Sequence, residues 1–171
     1  VRFLPCLDHS TSFQVLRKIT GSVWLSNLLD FLNSYASFVV SFSISLYLTL
    51  SLKMSDIDAS RAYSWYGGSS VICGVLVGPI IDRIGLKRSI MGGLLIMTIG
   101  RYLFAFSQVV WVALAVLIIV IPFGHALFDP PLNIAAELYG QVNAKDADEA
   151  EQVSKMSFRA FYFSANAGAW I

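Results

Sequence analysis

Gly78-Pro79-Ile80-Ile81-Asp82-Arg83-Ile84-Gly85-Leu86-Lys87-Arg88 is a short charged turn set between two long apolar runs. Charges are expensive in hydrocarbon, so this turn belongs in water and the runs beside it belong in a membrane. Upstream, residues 62–81 carry no charge, and downstream residues 89–106 carry only Arg101. Each run is about the 20 residues that a spanning helix needs. Within the turn, Gly78 allows close approach at the end of one helix, and Gly85 permits a tight reversal. Asp82 can meet Arg83 or a helix N-terminus, and Lys87 and Arg88 hold the turn on the basic side of the membrane.

Composition agrees with this reading. The 171-residue chain is 56% hydrophobic and 13% charged, against about 25% charged in an ordinary soluble domain. The net charge of +1 gives no case for nucleic-acid binding. Cys6 and Cys73 have no metal or redox spacing, and Cys73 reads as a small packing residue in an apolar run. No nucleophile triad, metal cluster or phosphate-binding loop is present, so an enzyme is not expected and no cofactor or metal is implied.

Working outward, the sequence predicts an all-α, multi-pass membrane bundle. Residues 1–23 form an N-terminal segment, in which 13–19 is a candidate interfacial stretch. Helix one covers about 24–48, helix two about 62–81, and helix three about 89–106. Ser107 and Gln108 make a short connection to helix four, which starts near Val109 and runs past Pro122 towards Asp129, the four helices together filling residues 24–139. Residues 140–156 read as a polar loop, and 157–171 as the start of a fifth helix. Basic residues gather on one side, with Arg2, Arg17, Lys18, Arg83, Lys87, Arg88, Lys145 and Lys155 against Lys53 and Arg61. The positive-inside rule then makes the N-terminus and the 140–156 loop cytoplasmic. Ser70, Gly74 and Gly78 recur every four residues, which suits close helix packing or a surface that slides. The start at Val1 and the apolar end at Ile171 suggest an N-terminal fragment whose C-terminal half lies outside this sequence.

The turn's spacing, G-x-x-x-D-R-x-G-x-K-R, resembles the loop between the second and third helices of major facilitator superfamily transporters. That resemblance implies a latch between the two halves of such a transporter at Gly78, Asp82, Arg83, Gly85, Lys87 and Arg88. A narrower resemblance lies near the C-terminus. Phe158, Phe161, Tyr162, Asn166 and Gly168 match the helix-five pattern F-x-x-F-Y-x-x-x-N-x-G of proton-dependent oligopeptide transporters. Upstream, Gly124, Phe128, Asp129, Pro130, Pro131 and then Glu137-Leu138-Tyr139 resemble that family's helix-four segment. The family's helix-four lysine falls at Asp129. Its helix-one pattern E-x-x-E-R-F falls on Asn27 to Leu32, keeping an acid at Asp30 and placing Asn27 and Phe31 at the other charged positions. The resemblance implies alternating-access uptake of small polar solutes such as oligopeptides, driven by a proton gradient. The implied partners are the solute, protons and the lipid bilayer. The loss of both cations sets peptide as the substrate in question.

The charges inside the spans are the candidate sites. Asp30 suits a proton carrier, because a carboxylate in a low-dielectric cavity is more easily protonated; the alternative is a solvated group at the interface. Asn27 lies one turn earlier on the same face. Tyr35 matches a cavity tyrosine of the peptide-transporter family. Asp129 before Pro130 reads either as a helix N-cap or, with His125 four residues earlier, as a proton relay on an intact helix. Arg101, about 12 residues and roughly 18 Å into helix three, either snorkels to the interface or faces the cavity. Two other functions stay open at this point. One is a uniporter or exchanger for sugars or drugs with no proton coupling, and the other is a non-transporting membrane scaffold.

Overall fold

Ser55 starts the second helix earlier than its apolar run does. Its Oγ accepts a hydrogen bond from the Asp58 backbone N–H at 3.2 Å, and Asp56 and Asp58 place negative charge at the helix N-terminus. A cap and two acids in the first turn favour helix where polarity alone suggests loop. The helix therefore runs Asp56–Ile84, not from 62, and the connection before it shrinks to Leu52–Ser55.

A computed structural model describes residues 21–141 and 147–170. The expectations for residues 1–20, including Cys6, Arg2, Arg17 and Lys18, and for Lys145 lie outside the described residues. The described residues form six α-helices, in order α1 Gly21–Leu46, α2 Asp56–Ile84, α3 Leu86–Phe106, α4 Val110–Ala115, α5 Ile121–Gln141 and α6 Ala147–Trp170. A wide, π-type turn Tyr47–Ser51 closes α1, and a second, Val116–Val120, joins α4 to α5. No strand occurs among the described residues. The fold is all-α, and Gly21–Ser51, Asp56–Ile84, Leu86–Phe106 and Val110–Leu138 are long and apolar enough to cross a membrane.

Proline chemistry explains the second wide turn. Pro122 has no N–H, so the carbonyl four residues earlier has no ordinary helical donor. The Ile121 N–H instead reaches back five residues to the Val116 carbonyl, and the helix widens just before the proline. A Pro130–Pro131 pair can kink or break a helix, and Asp129 before it reads as a possible cap. The helix instead continues through both to Gln141. Transmembrane helices tolerate such prolines where neighbouring helices cover the freed carbonyls.

The last helix also differs from expectation. Residues 140–156 read as a loop because they are polar, yet α6 is helical from Ala147. Glu151 and Lys155 pair at 2.5 Å across one exposed turn, and such i, i+4 pairs support a polar helical stretch. The hydrogen bond to Lys155 and its charge hold the Glu151 carboxyl below the usual range.

The chain divides into two compact units, one of residues 36–132 and one of residues 1–35 with 133–171. In the first, two apolar layers form. Ile44, Leu48, Ala59, Ala62, Phe104, Ala113, Val116, Leu117 and Ile121 make one. Val77, Ile81, Ala126 and Leu127 make the other, with Cys73 packed against it as expected of a small packing residue. Between α3 and α5 the backbones nearly touch. A Cβ on Gly93 would lie 2.8 Å from the Phe128 nitrogen, and one on Gly124 would lie 3.0 Å from the Met97 nitrogen. Gly100 packs on Val120 and Ile121. Gly74 and Gly78, by contrast, have nothing within 4 Å of a would-be Cβ. The close-packing stripe thus lies on α3, not on α2. Only 6% of α2's most apolar window is buried within this chain, so most of that helix presents apolar side chains outward, as lipid or further protein permits.

In the second unit, Gly168 of α6 lies against the Phe31 carbonyl and Ser34 of α1, where no side chain fits. One face of α1 there is buried and polar, with Ser26, Asn27, Asp30 and Asn33. The buried residues Val153, Ser157 and Phe161 recur every four residues along α6.

Candidate functional site: a charged network between two apolar layers

Arg101, His125 and Asp129 are brought together in the 36–132 unit. Along α3, Arg101 falls between Ile96, packed on one apolar layer, and Phe104, part of the other. Along α5, His125 falls between Ile121 of one layer and Ala126 of the other. The polar groups are therefore sandwiched between the layers, well inside the spans.

The geometry is a chain of contacts. Arg101 Nη2 donates to Ser37 Oγ of α1 at 2.7 Å. The same nitrogen lies 3.5 Å from His125 Nε2. His125 Nδ1 lies 3.2 Å from Asp129 Oδ2. Tyr66 of α2 and Asp129 both lie within electrostatic range of the guanidinium. Four helices thus contribute, α1, α2, α3 and α5, with Arg101 at the centre.

These partners fix the chemistry of the histidine. A guanidinium only donates, so Nε2 must accept; the carboxylate only accepts, so Nδ1 must carry the hydrogen. A neutral imidazole with its proton on Nδ1 satisfies both neighbours. The His125 side chain is 17% exposed and that of Asp129 is 46% exposed, so the chain leads from an interior cation to a reachable carboxylate. The helix is intact through Pro130, so His125 and Asp129 lie one turn apart on one face and Asp129 does not start a helix. Arg101 does not snorkel; its head group turns inward to Ser37 and His125.

The other candidates lie elsewhere. Asp30 is 8% and Asn27 4% exposed on α1, in the other unit. Asp30 is thus buried, not solvated at an interface. The Asn27 Oδ1 has no hydrogen-bond partner among the described residues. Tyr35 is in that unit too and is 42% exposed. Of the helix-five motif residues, Phe161 and Gly168 are buried, whereas Phe158 and Tyr162 are exposed and their rings pair at 5.7 Å. The Asn166 Nδ2 donates to the Tyr162 carbonyl at 2.7 Å, within its own helix. In the charged turn, Gly85 has φ +87° and is the sole residue between α2 and α3. Asp82, Arg83, Lys87 and Arg88 are all exposed, and Gly78 is part-buried. Sequence reasoning singled out neither Ser37 nor Tyr66 as a site residue. Ser37 carries no sequence signal, since helical serines usually bond their own backbone.

The sequence model of the Major Facilitator Superfamily matches residues 27–142. The chain belongs to the Major Facilitator Superfamily. It is an integral, multi-pass membrane protein of a transporter family, as the four apolar helices also require. No curated protein and no solved structure matches the chain.

Proposed function

We propose that this protein is a proton-coupled secondary transporter that moves small polar solutes, short peptides among them, by alternating access. The observation that carries the reading is the continuous Arg101–His125–Asp129 chain inside the apolar spans. Intramembrane charge is costly and is generally retained for ion or proton movement. A histidine titrates near physiological pH, and a carboxylate one turn away gives its proton a route. Asp30, buried beside Asn27, is the second acid of the scheme and corresponds to the surviving acid of the oligopeptide-transporter pattern. The helix-five motif supports the oligopeptide class. The missing cation at Phe31 points to a changed mode of solute binding. The N-terminus is assigned to the cytoplasm, with the 78–88 turn as the latch facing the same side, on the strength of the basic residues in it.

The test is trialanine uptake by proteoliposomes containing the full-length protein, with and without an inward proton gradient. Accumulation that needs the gradient, and that Asp30→Asn or Asp129→Asn abolishes, is the expected result. Equal uptake with and without the gradient, or full accumulation in both variants, would contradict the reading and favour uncoupled facilitation.

A further inference from the structure

Glu137, near the end of α5, and Arg159 of α6 line one groove together with Ser154, Lys155 and Phe158. All five belong to the unit of residues 1–35 and 133–171. The groove has a volume of about 280 Å³, below the range of drug-sized sites, which is about 300–1,000 Å³. Its depth in the bilayer follows from the two helices. The apolar span Val110–Leu138 ends beside Glu137. On α6 the charges stop at Arg159, and residues 160–170 carry none. Both helices therefore change from polar to apolar at the groove. That change sets it in the headgroup layer, the outer 5–7 Å or so of a bilayer face, about 5–7 Å thick.

The charges in the groove suit a ligand that carries both signs. Lys155 is already paired with Glu151 at 2.5 Å. The charges left over are one cation, Arg159, and one carboxylate, Glu137, both exposed. Among the described residues neither side chain makes an ion pair, with the other or with a third group. Opposite charges that share a groove without meeting leave a place for an anion at one end and a cation at the other. A guanidinium matches the oxygens of a phosphate. A carboxylate accepts hydrogen bonds from a primary ammonium, whereas a quaternary ammonium has none to give. Ser154 adds a hydroxyl to the same wall. A purely anionic headgroup would meet Arg159 but be opposed by Glu137. The apolar side is supplied by Phe158, whose exposed ring pairs at 5.7 Å with that of Tyr162 one turn further on. This aromatic strip leads from the groove into the apolar part of α6, where an acyl chain can lie. Charged pockets between helices at the membrane surface are a recurring way of recognising lipid headgroups. We propose that the groove binds a phosphatidylethanolamine, with its phosphate on Arg159, its ammonium on Glu137 and the start of an acyl chain against Phe158 and Tyr162. The bound lipid ties the end of α5 to α6. The site is independent of the solute and of proton coupling.

The test is native mass spectrometry of the full-length protein in detergent. It is titrated with phosphatidylethanolamine, phosphatidylcholine and phosphatidylglycerol of matched acyl chains, and with free glycerophosphoethanolamine. The first phosphatidylethanolamine should bind about tenfold tighter than either other lipid, the scale of one charge-assisted contact. Arg159→Gln should lower its binding to the level of phosphatidylcholine. Glu137→Gln removes the opposing anion, so the preference should switch to phosphatidylglycerol, a gain that a damaged fold would not produce. Equal binding of the three lipids by wild type, or the wild-type preference persisting in both variants, would overturn the proposal. Free glycerophosphoethanolamine binding as tightly as the lipid would assign the groove to a soluble zwitterion and overturn the lipid assignment.

Discussion

The imidazole of His125 has each nitrogen committed to an opposite charge, and its hydrogen-bond capacity is filled only while it is neutral. The Arg101 Nη2 that faces His125 also donates to the Ser37 hydroxyl, which steadies the guanidinium. Ser37→Ala removes one acceptor from a half-buried cation, and hydrogen bonds to charged groups contribute about 1.5–3 kcal/mol. The variant should melt lower in detergent than wild type, and an unchanged melting temperature would mean that the contact is incidental. Glycines make the second argument at this scale. Gly93→Ala puts a methyl group against the α5 backbone, 2.8–2.9 Å from three of its atoms. Overpacking of this kind costs about 1–3 kcal/mol. Gly74→Ala meets open space and should leave stability within about 0.5 kcal/mol of wild type. The contrast, read by thermal melting of the two variants side by side, tests which helix carries the tight interface.

Elements are joined by devices that differ in how visible they are in the sequence. The α2–α3 reversal is one residue long, and Gly85 at φ +87° and ψ 154° occupies backbone space that side chains resist. Gly85→Ala should cost about 1–3 kcal/mol in strain although there is room for the methyl group. Such a cost, seen as a fall in melting temperature, would separate conformation from crowding. This turn was legible because charge, glycine and flanking apolar runs all agree. The start of α2 was not, because polarity outweighed the Ser55 cap. Polarity likewise hid the start of α6, where the exposed Glu151–Lys155 pair supports the helix. The Glu151–Lys155 pair on α6 makes a small, signed prediction. The folded carboxyl titrates below its ordinary value, so its contribution is present above the unfolded value and fades as pH falls through the lowered one. The exposure of both side chains keeps that contribution small. Lys155→Gln should return the Glu151 titration to the ordinary range, as carboxyl-carbon NMR would show.

At the scale of the molecule, four apolar helices and the family match make this a membrane transporter of the Major Facilitator Superfamily. The number of its apolar spans was readable because hydrocarbon thickness sets the least length each must have. The site was readable in its acids and bases, since any charge in such a span stands out. The joining of Arg101 to His125 was not, because the two lie on separate helices and their meeting depends on the Gly93–Gly124 crossing. The orientation argument makes its own prediction. Cysteines placed at Lys53 and at Arg88 should react with a membrane-impermeant maleimide from opposite faces in intact cells, Lys53→Cys from outside. Labelling of both from one face would reject the assigned topology. The central claim is that His125 carries the transported proton. It is tested most directly by a pH electrode in a weakly buffered suspension of proteoliposomes, on adding solute to wild-type protein and to His125→Gln. The account predicts external alkalinisation with wild type and none with His125→Gln, even where that variant still exchanges solute. Alkalinisation of equal size in the variant would show that the proton travels by another route.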